Sequence, residues 1–187
     1  MTVLSIVIPA YNEENGIKEI ATRVLAIESA LKEIGVKGLE LLVVDDGSKD
    51  RTAEVASNIP GVTLIRHPRN KGYGAALKTG FSKATGELIA FLDADGTYPP
   101  EYFPKLCCAA MDGADLVIGS RMAGEKSQVP LTRRVGNFFF ATDTENERLG
   151  LRSTGRELAS EQVIRSVQLG LEIRELPIDY RPRVGRS

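Results

Sequence analysis

Asp93 and Asp95 stand one residue apart where an apolar run gives out, in the segment LIAFLDADGTYPP from Leu88 to Pro100. Two carboxylates so close repel each other unless positive charge lies between them. A hard divalent ion carrying phosphate oxygens is the commonest answer, because Mg²⁺ typically takes one or two protein carboxylates and completes its shell with water and substrate phosphate. The competing reading is a plain turn whose acids cap the following helix. An Asp-x-Asp triplet carries little information by itself; its place at the abrupt switch from β-rich residues to Asp, Gly and Pro favours the metal. A second acidic pair, Asp45 and Asp46, closes the run LLVVDD. One of them suits an Asx turn with Gly47 and Ser48, which leaves the other to accept hydrogen bonds from a base or ribose.

Other motifs point to packing as much as to chemistry. GYGAALKTG, from Gly72, partly imitates a dinucleotide fingerprint, but Leu77 stands where Gly or Ala is needed and HPRNK separates strand from glycines. The glycines therefore read as a tight turn and a closely packed helix. His67, the one histidine, sits at a strand end and reads as structural, and no Ser/His/Asp or Cys/His arrangement assembles around it. Tyr73, Phe81 and Phe91 read as packing. Arg121 is either an ion-pair partner for the acids or a clamp on phosphate, for which a planar, permanently charged guanidinium is suited. Arg181, Arg183 and Arg186 close the chain as a solvated tail or an anion site.

These residues need elements to hold them. An apolar strand spans residues 3–8 and Pro9 ends it; a helix follows with Ile17, Ile20, Ala21, Val24, Leu31 and Ile34 at helical spacing, stopped by Gly35. Further strands are expected at 39–44, 62–65, 87–92 and 115–118, and helices from 51, over 74–84 and over 101–111. Near-continuous apolar strands alternating with helices predict an α/β fold, with a mostly parallel sheet covered on both faces and right-handed crossovers. Ligands of such sheets bind beyond the carboxyl ends of the strands. Asp45, Asp46, Asp93 and Asp95 all fall there, with Tyr11, Asn12 and Glu13 after the first strand and Ser120 and Arg121 after the fifth. From about Ala123 the pattern is less regular: FFFATDT, a polar stretch, a helix over 160–169 and a strand over 173–180, read as a cap that completes the same domain.

The 187 residues are 42% hydrophobic and 26% charged, which suits one soluble domain, residues 1–187. A net charge of -1 gives no global field for nucleic acid. Cys107 and Cys108 are adjacent, so they form neither a disulfide framework nor a metal-ligand spacing, and a reducing, cytoplasmic setting is expected. No stretch approaches the ~20 apolar residues of a membrane span.

Six motifs in order, IVIPAYNEE, VVDDGSKDRT, RNKGYGAALKTGF, FLDADGTYPP, LVIGSR and ELPIDYRPRVGRS, cover almost the whole chain. Together they resemble the family-2 glycosyltransferases of GT-A fold, a Rossmann-like three-layer αβα sandwich, and within them the branch of dolichol-phosphate mannose synthase and related polyprenyl-phosphate sugar synthases. The resemblance implies a nucleotide-sugar-binding part over 1–122 and an acceptor-side part with a C-terminal closing segment over 123–187. It implies that Pro9, Tyr11 and Glu13 line the nucleotide pocket, that Asp45 binds the base or ribose, and that Asp93, Ala94 and Asp95 form the motif for Mg²⁺ or Mn²⁺ and the diphosphate. Arg121, together with Arg134, would face the acceptor phosphate. Arg183, Arg186 and Ser187 would close over the donor. Two departures stand out: a Ser-Gly-Phe-Arg-like element usual after Thr144 is absent, and relatives commonly continue past Ser187, many into membrane helices.

The implied reaction moves a hexose from a GDP- or UDP-linked donor to a polyprenyl or dolichyl phosphate at the cytoplasmic face of a membrane. It inverts the anomeric carbon in a single in-line displacement. Charge growing on the leaving diphosphate calls for a metal, and an acceptor already ionised at neutral pH calls for positioning by Arg121 and Arg134 more than for a base. A saccharide hydroxyl acceptor would instead need a carboxylate within about 3 Å, with Asp143 or Glu161 as candidates. An inactive nucleotide-sugar-binding protein and a nucleotidyl transferase are the other classes, separated by turnover and by whether nucleoside diphosphate or pyrophosphate is released.

Overall fold

The computed structural model describes residues 2–120, 139–142, 150–155 and 157–179. Its centre is a seven-stranded sheet in the order β3-β2-β1-β4-β6-β5-β7. The strands are β1 (Val3–Ala10), β2 (Gly38–Asp45), β3 (Val62–Arg66), β4 (Leu88–Phe91), β5 (Leu116–Ser120), β6 (Phe139–Thr142) and β7 (Ile173–Pro177). The helices are α1 (Ile17–Ala26), α2 (Glu28–Glu33), α3 (Thr52–Ser57), α4 (Tyr73–Phe81), α5 (Phe103–Met111) and, as α6, Leu158–Gln168.

β1 explains why both faces must be covered. Leu4, Ile6 and Ile8 join the core that α1 and α5 close with Ile17, Ile20, Val24, Phe103 and Leu106. Val7 points the other way, into a second cluster with Val44 and Phe91 that α4 and α6 close through Ala76, Leu77, Leu158 and Ala159. A strand apolar on both sides is stable only between two helical layers, which gives the three-layer sandwich. On α4 the packing is close enough that a Cβ on Gly80 would run into the side chain of Val7.

β1 pairs in parallel with β2 on one side and with β4 on the other, with Ala10 opposite Asp45 and Val7 opposite Phe91. The order of connection reverses between β1 and β4. The crevice at such a switch point, beyond the strand ends, is where open α/β sheets take ligands. Pro9, Asp45 and Asp93 reach this edge at nearly the same height.

Two expectations change. The predicted single helix from Ile17 to Ile34 is two, broken at Ile27, whose N–H turns to Val24 O at 3.3 Å in a tighter turn. The apolar face continues across the break, so periodicity hid it. FFFATDT does not lie in a cap: Phe139–Thr142 enters the sheet antiparallel to both β4 and β5. β7 then completes the sheet in parallel with β5. Among the described residues no helix is long and apolar enough to cross a membrane.

Candidate active site

The loops after β1 and β2 are laced together. Asn12 adopts a left-handed backbone conformation with φ 56°, uncommon for a residue other than glycine. In that turn its N–H donates to Ser48 Oγ at 3.0 Å and its Oδ1 accepts from Lys49 N–H at 2.9 Å. Glu13 N–H donates to Thr52 Oγ1 at 2.8 Å, and Glu14 exchanges bonds with Asp50 and Arg51. Burial pushes the Asp50 carboxyl up, but hydrogen bonds from the Thr52 hydroxyl and N–H and from Glu14 N–H outweigh it and hold Asp50 below its ordinary value. The outcome is a fixed rim from which Tyr11 projects, 42% exposed. Pro9 lies buried in β1 just beneath it.

The acidic pair at the end of β2 divides its labour. Asp45 is fully buried; its Oδ1 accepts Ser48 N–H at 3.1 Å, the expected Asx-type turn. Its Oδ2 takes no hydrogen bond among the described residues and lies 3.5 Å from Arg66 Nε. A buried carboxylate oxygen left without a donor is costly, so such an atom marks a place where a ligand can repay the cost. Asp46, by contrast, is saturated: it accepts from His67 Nδ1 at 2.7 Å, Lys71 N–H at 2.9 Å and Gly72 N–H at 2.8 Å. His67 continues to Thr79 Oγ1 on α4 at 2.9 Å. The histidine thus ties the ends of β2 and β3 to α4, through a partner that no local pattern marks.

At the tip of β4, Asp93 Oδ1 accepts the hydroxyl of Tyr73 at 2.7 Å. Asp95 Oδ1 turns back to Thr97, accepting its hydroxyl at 2.7 Å and its N–H at 3.1 Å. Asp95 Oδ2 takes no hydrogen bond among the described residues. Ala94 between them is buried. Hard oxygen donors on a rigid strand end, one with an oxygen to spare, fit Mg²⁺ or Mn²⁺ completed by phosphate oxygens. Two carboxylates are too few for a cage made by protein alone: no group of three or more metal-binding side chains exists among the described residues.

Tyr73 was expected to be packing only. Its ring does pack against the second cluster, yet its hydroxyl reaches a site acid. The signal available was topological: every strand-to-helix loop of a parallel sheet opens on the same edge, so the first residue of α4 had to face the acids.

Glu161 is committed elsewhere. It accepts Arg152 N–H at 2.9 Å and Ser153 N–H at 2.7 Å, and these backbone bonds hold its carboxyl down at about 2. A group so acidic is a poor general base. Arg121, Arg134, Asp143, Arg183, Arg186 and Ser187 lie outside the described residues. The chain entering the last of these is anchored nearby, with Ile178 N–H on Ser120 O at 3.0 Å and Tyr102 Oη on Asp179 Oδ2 at 2.8 Å.

Known proteins resemble this chain in sequence and fold. The chain is 36% identical over 209 aligned residues to the low-salt glycan biosynthesis hexosyltransferase of Haloferax volcanii, covering 98% of the chain and 49% of the relative. It thus spans about half that protein's length. It is 30% identical to the dolichyl-phosphate hexose transferase of the same organism, covering 98% of the chain and 85% of that relative. Among solved structures, a Pyrobaculum calidifontis mannosyltransferase in complex with GDP-Man and Mn²⁺ superposes with a TM-score of 0.76 at 21% identity, over 98% of this chain and 57% of that one. At that identity the likeness speaks for the GT-A fold. The profile of Glycosyl transferase family 2 matches residues 5–165, from β1 into α6. With a match across most of its length, the chain belongs to glycosyltransferase family 2.

Proposed function

We propose that this chain, acting as one domain over residues 1–187, is an inverting, metal-dependent hexosyltransferase that moves a sugar from a GDP- or UDP-linked donor to a polyprenyl or dolichyl phosphate at a membrane surface. The observation that carries it is the pair of strand-end acids, Asp93 and Asp95, set across the β1/β4 switch point from the orphaned oxygen of Asp45. The lipid phosphate is supported by a relative named as a dolichyl-phosphate hexose transferase. The metal is supported by a structural neighbour that holds Mn²⁺ with a sugar nucleotide.

Each residue then has a task. Asp45 Oδ2 accepts an N–H or O–H of the base or ribose, and Tyr11 covers that pocket with Pro9 and Glu13 on its wall. Asp93 and Asp95, about Ala94, hold the cation. Bound there, Mg²⁺ or Mn²⁺ supplies a Lewis acid that stabilises negative charge on the leaving diphosphate. Arg121 and Arg134 position the acceptor phosphate, and Arg183, Arg186 and Ser187 close over the donor. A phosphate nucleophile needs orientation and no proton transfer, which agrees with the engagement of Glu161 by backbone N–H groups.

The test is product analysis with purified protein, Mn²⁺, GDP- or UDP-sugars and a short polyprenyl phosphate. Free nucleoside diphosphate and a glycosylated lipid phosphate should appear together, and Asp95→Asn should abolish both. Release of pyrophosphate, transfer only to saccharide hydroxyls, or full turnover in Asp95→Asn would each overturn the proposal.

A further inference from the structure

We propose that Tyr73 is a positioning residue for the metal site: its hydroxyl fixes the carboxylate of Asp93, and the His67–Asp46 pair fixes Tyr73. This rests on the reading of Asp93 and Asp95 as cation ligands given above.

The connection can be followed atom by atom. His67 Nδ1 holds Asp46 at 2.7 Å, and the two oxygens of Asp46 collect the N–H groups of Lys71 and Gly72. Gly72, with φ 99°, is the turn residue immediately before α4. The next residue is Tyr73, whose backbone is therefore clamped just upstream by a buried carboxylate. Downstream, Thr154 O accepts Gly74 N–H at 2.7 Å and Ala75 N–H at 3.3 Å, so the first turn of α4 is held by a carbonyl from a distant segment. Its ring rests on the second apolar cluster. Held at backbone and ring, the phenol delivers its O–H to Asp93 Oδ1 at 2.7 Å.

What the hydroxyl does follows from how metal ligands behave. A carboxylate at a strand tip can rotate about χ1 and χ2, and each lost rotamer is a cost the incoming ion must meet. A hydrogen bond from a fixed donor settles the plane of the carboxylate beforehand. Removal of such outer partners typically weakens metal binding 10- to 100-fold. The hydroxyl bond crosses from α4 to the loop that follows β4, so the device also couples the end of β2 to the metal site.

The experiment measures Mn²⁺ binding to the full chain by the loss of the free-ion electron paramagnetic resonance signal, with GDP or UDP present. Nucleotide binding is measured separately in chelator. Tyr73→Phe keeps the ring and is expected to weaken Mn²⁺ about 10-fold while metal-free nucleotide affinity stays unchanged. His67→Ala should shift Mn²⁺ affinity in the same direction, and His67→Asn, which can still donate to Asp46, should restore most of it. Mn²⁺ affinity unchanged in Tyr73→Phe, with binding lost in Asp95→Asn, overturns the role of Tyr73 and leaves the metal site standing. Mn²⁺ affinity unchanged in Asp95→Asn overturns the metal site and this role with it.

Discussion

The carbonyl oxygen of Thr154 sits 2.7 Å from the amide nitrogen of Gly74, joining a segment late in the chain to the first turn of α4. The contact requires glycine. A Cβ at position 74 would stand 2.7 Å from Thr154 C and 2.9 Å from Gly155 O, which are backbone atoms with no rotamer to yield. Gly74→Ala should therefore push residues 154–155 off the helix, at about 1–3 kcal/mol of stability, the usual range for overpacking. Thermal unfolding should fall by several degrees. Because Tyr73 is the neighbouring residue, Mn²⁺ binding should weaken as well, and unaltered melting would remove the close approach from the account.

Asp45 offers a case where stability and function separate. Its Oδ1 is used by the turn, while Oδ2 is buried beside Arg66 with no hydrogen bond among the described residues. Asp45→Asn keeps the acceptor for Ser48 and removes a buried charge, so chemical denaturation should show little loss of stability. Binding should suffer much more. A hydrogen bond to a charged group contributes about 1.5–3 kcal/mol, which corresponds to roughly 10- to 100-fold in donor affinity. Calorimetric titration with nucleoside diphosphate checks it; equal affinity in the variant would mean that the orphaned oxygen does not face the ligand.

Much of the fold is legible in the sequence, for identifiable reasons. Strands buried on both faces write themselves as unbroken apolar runs, so β1, β2 and β4 and the acids at their ends stand out from LSIVI, LLVV and LIAF. β6 did not, because Phe139–Thr142 is a short run whose place between β4 and β5 is a matter of spatial order, absent from chain order. The site divides in the same way. Asp95 is visible because its environment changes abruptly in sequence, whereas Tyr73 lies 20 positions from Asp93 and an aromatic in an apolar helix reads as packing. The Asp46–His67 bond was hidden for another reason: it depends on β3 running beside β2 with Asp45 opposite Arg66.

Glu161 gives a pH dependence with a definite sign. Its folded carboxyl is drawn from 4.5 to about 2 by the N–H groups of Ser153 and Arg152. A depressed carboxylate contributes stability that is complete above the unfolded value and is lost as pH falls toward the folded one. The window therefore runs from about 4.5 down to about 2. Glu161→Gln should flatten the melting curve against pH in that interval, since an amide has one acceptor oxygen for two donors and does not titrate. Above pH 5 its turnover should keep the wild-type pH profile. An altered profile there would return Glu161 to consideration as a base.

Asn12 carries the last prediction. Its φ of 56° costs a residue with a side chain, and the asparagine offsets that cost by accepting Lys49 N–H through Oδ1. Two substitutions separate these effects. Asn12→Gly relieves the backbone and loses the side-chain bond, which nearly cancel, while Asn12→Ala keeps the strain and loses the bond, a loss of about 1 kcal/mol. Stability should thus order wild type and Asn12→Gly together above Asn12→Ala. Donor affinity should order differently: both variants remove one of the ties between the loop bearing Tyr11 and the loop after β2, so both should bind nucleoside diphosphate more weakly than wild type. Fluorescence or calorimetric titration beside denaturant unfolding distinguishes the two orders, and wild-type affinity in Asn12→Gly would show that the loop needs its backbone turn and not its tether.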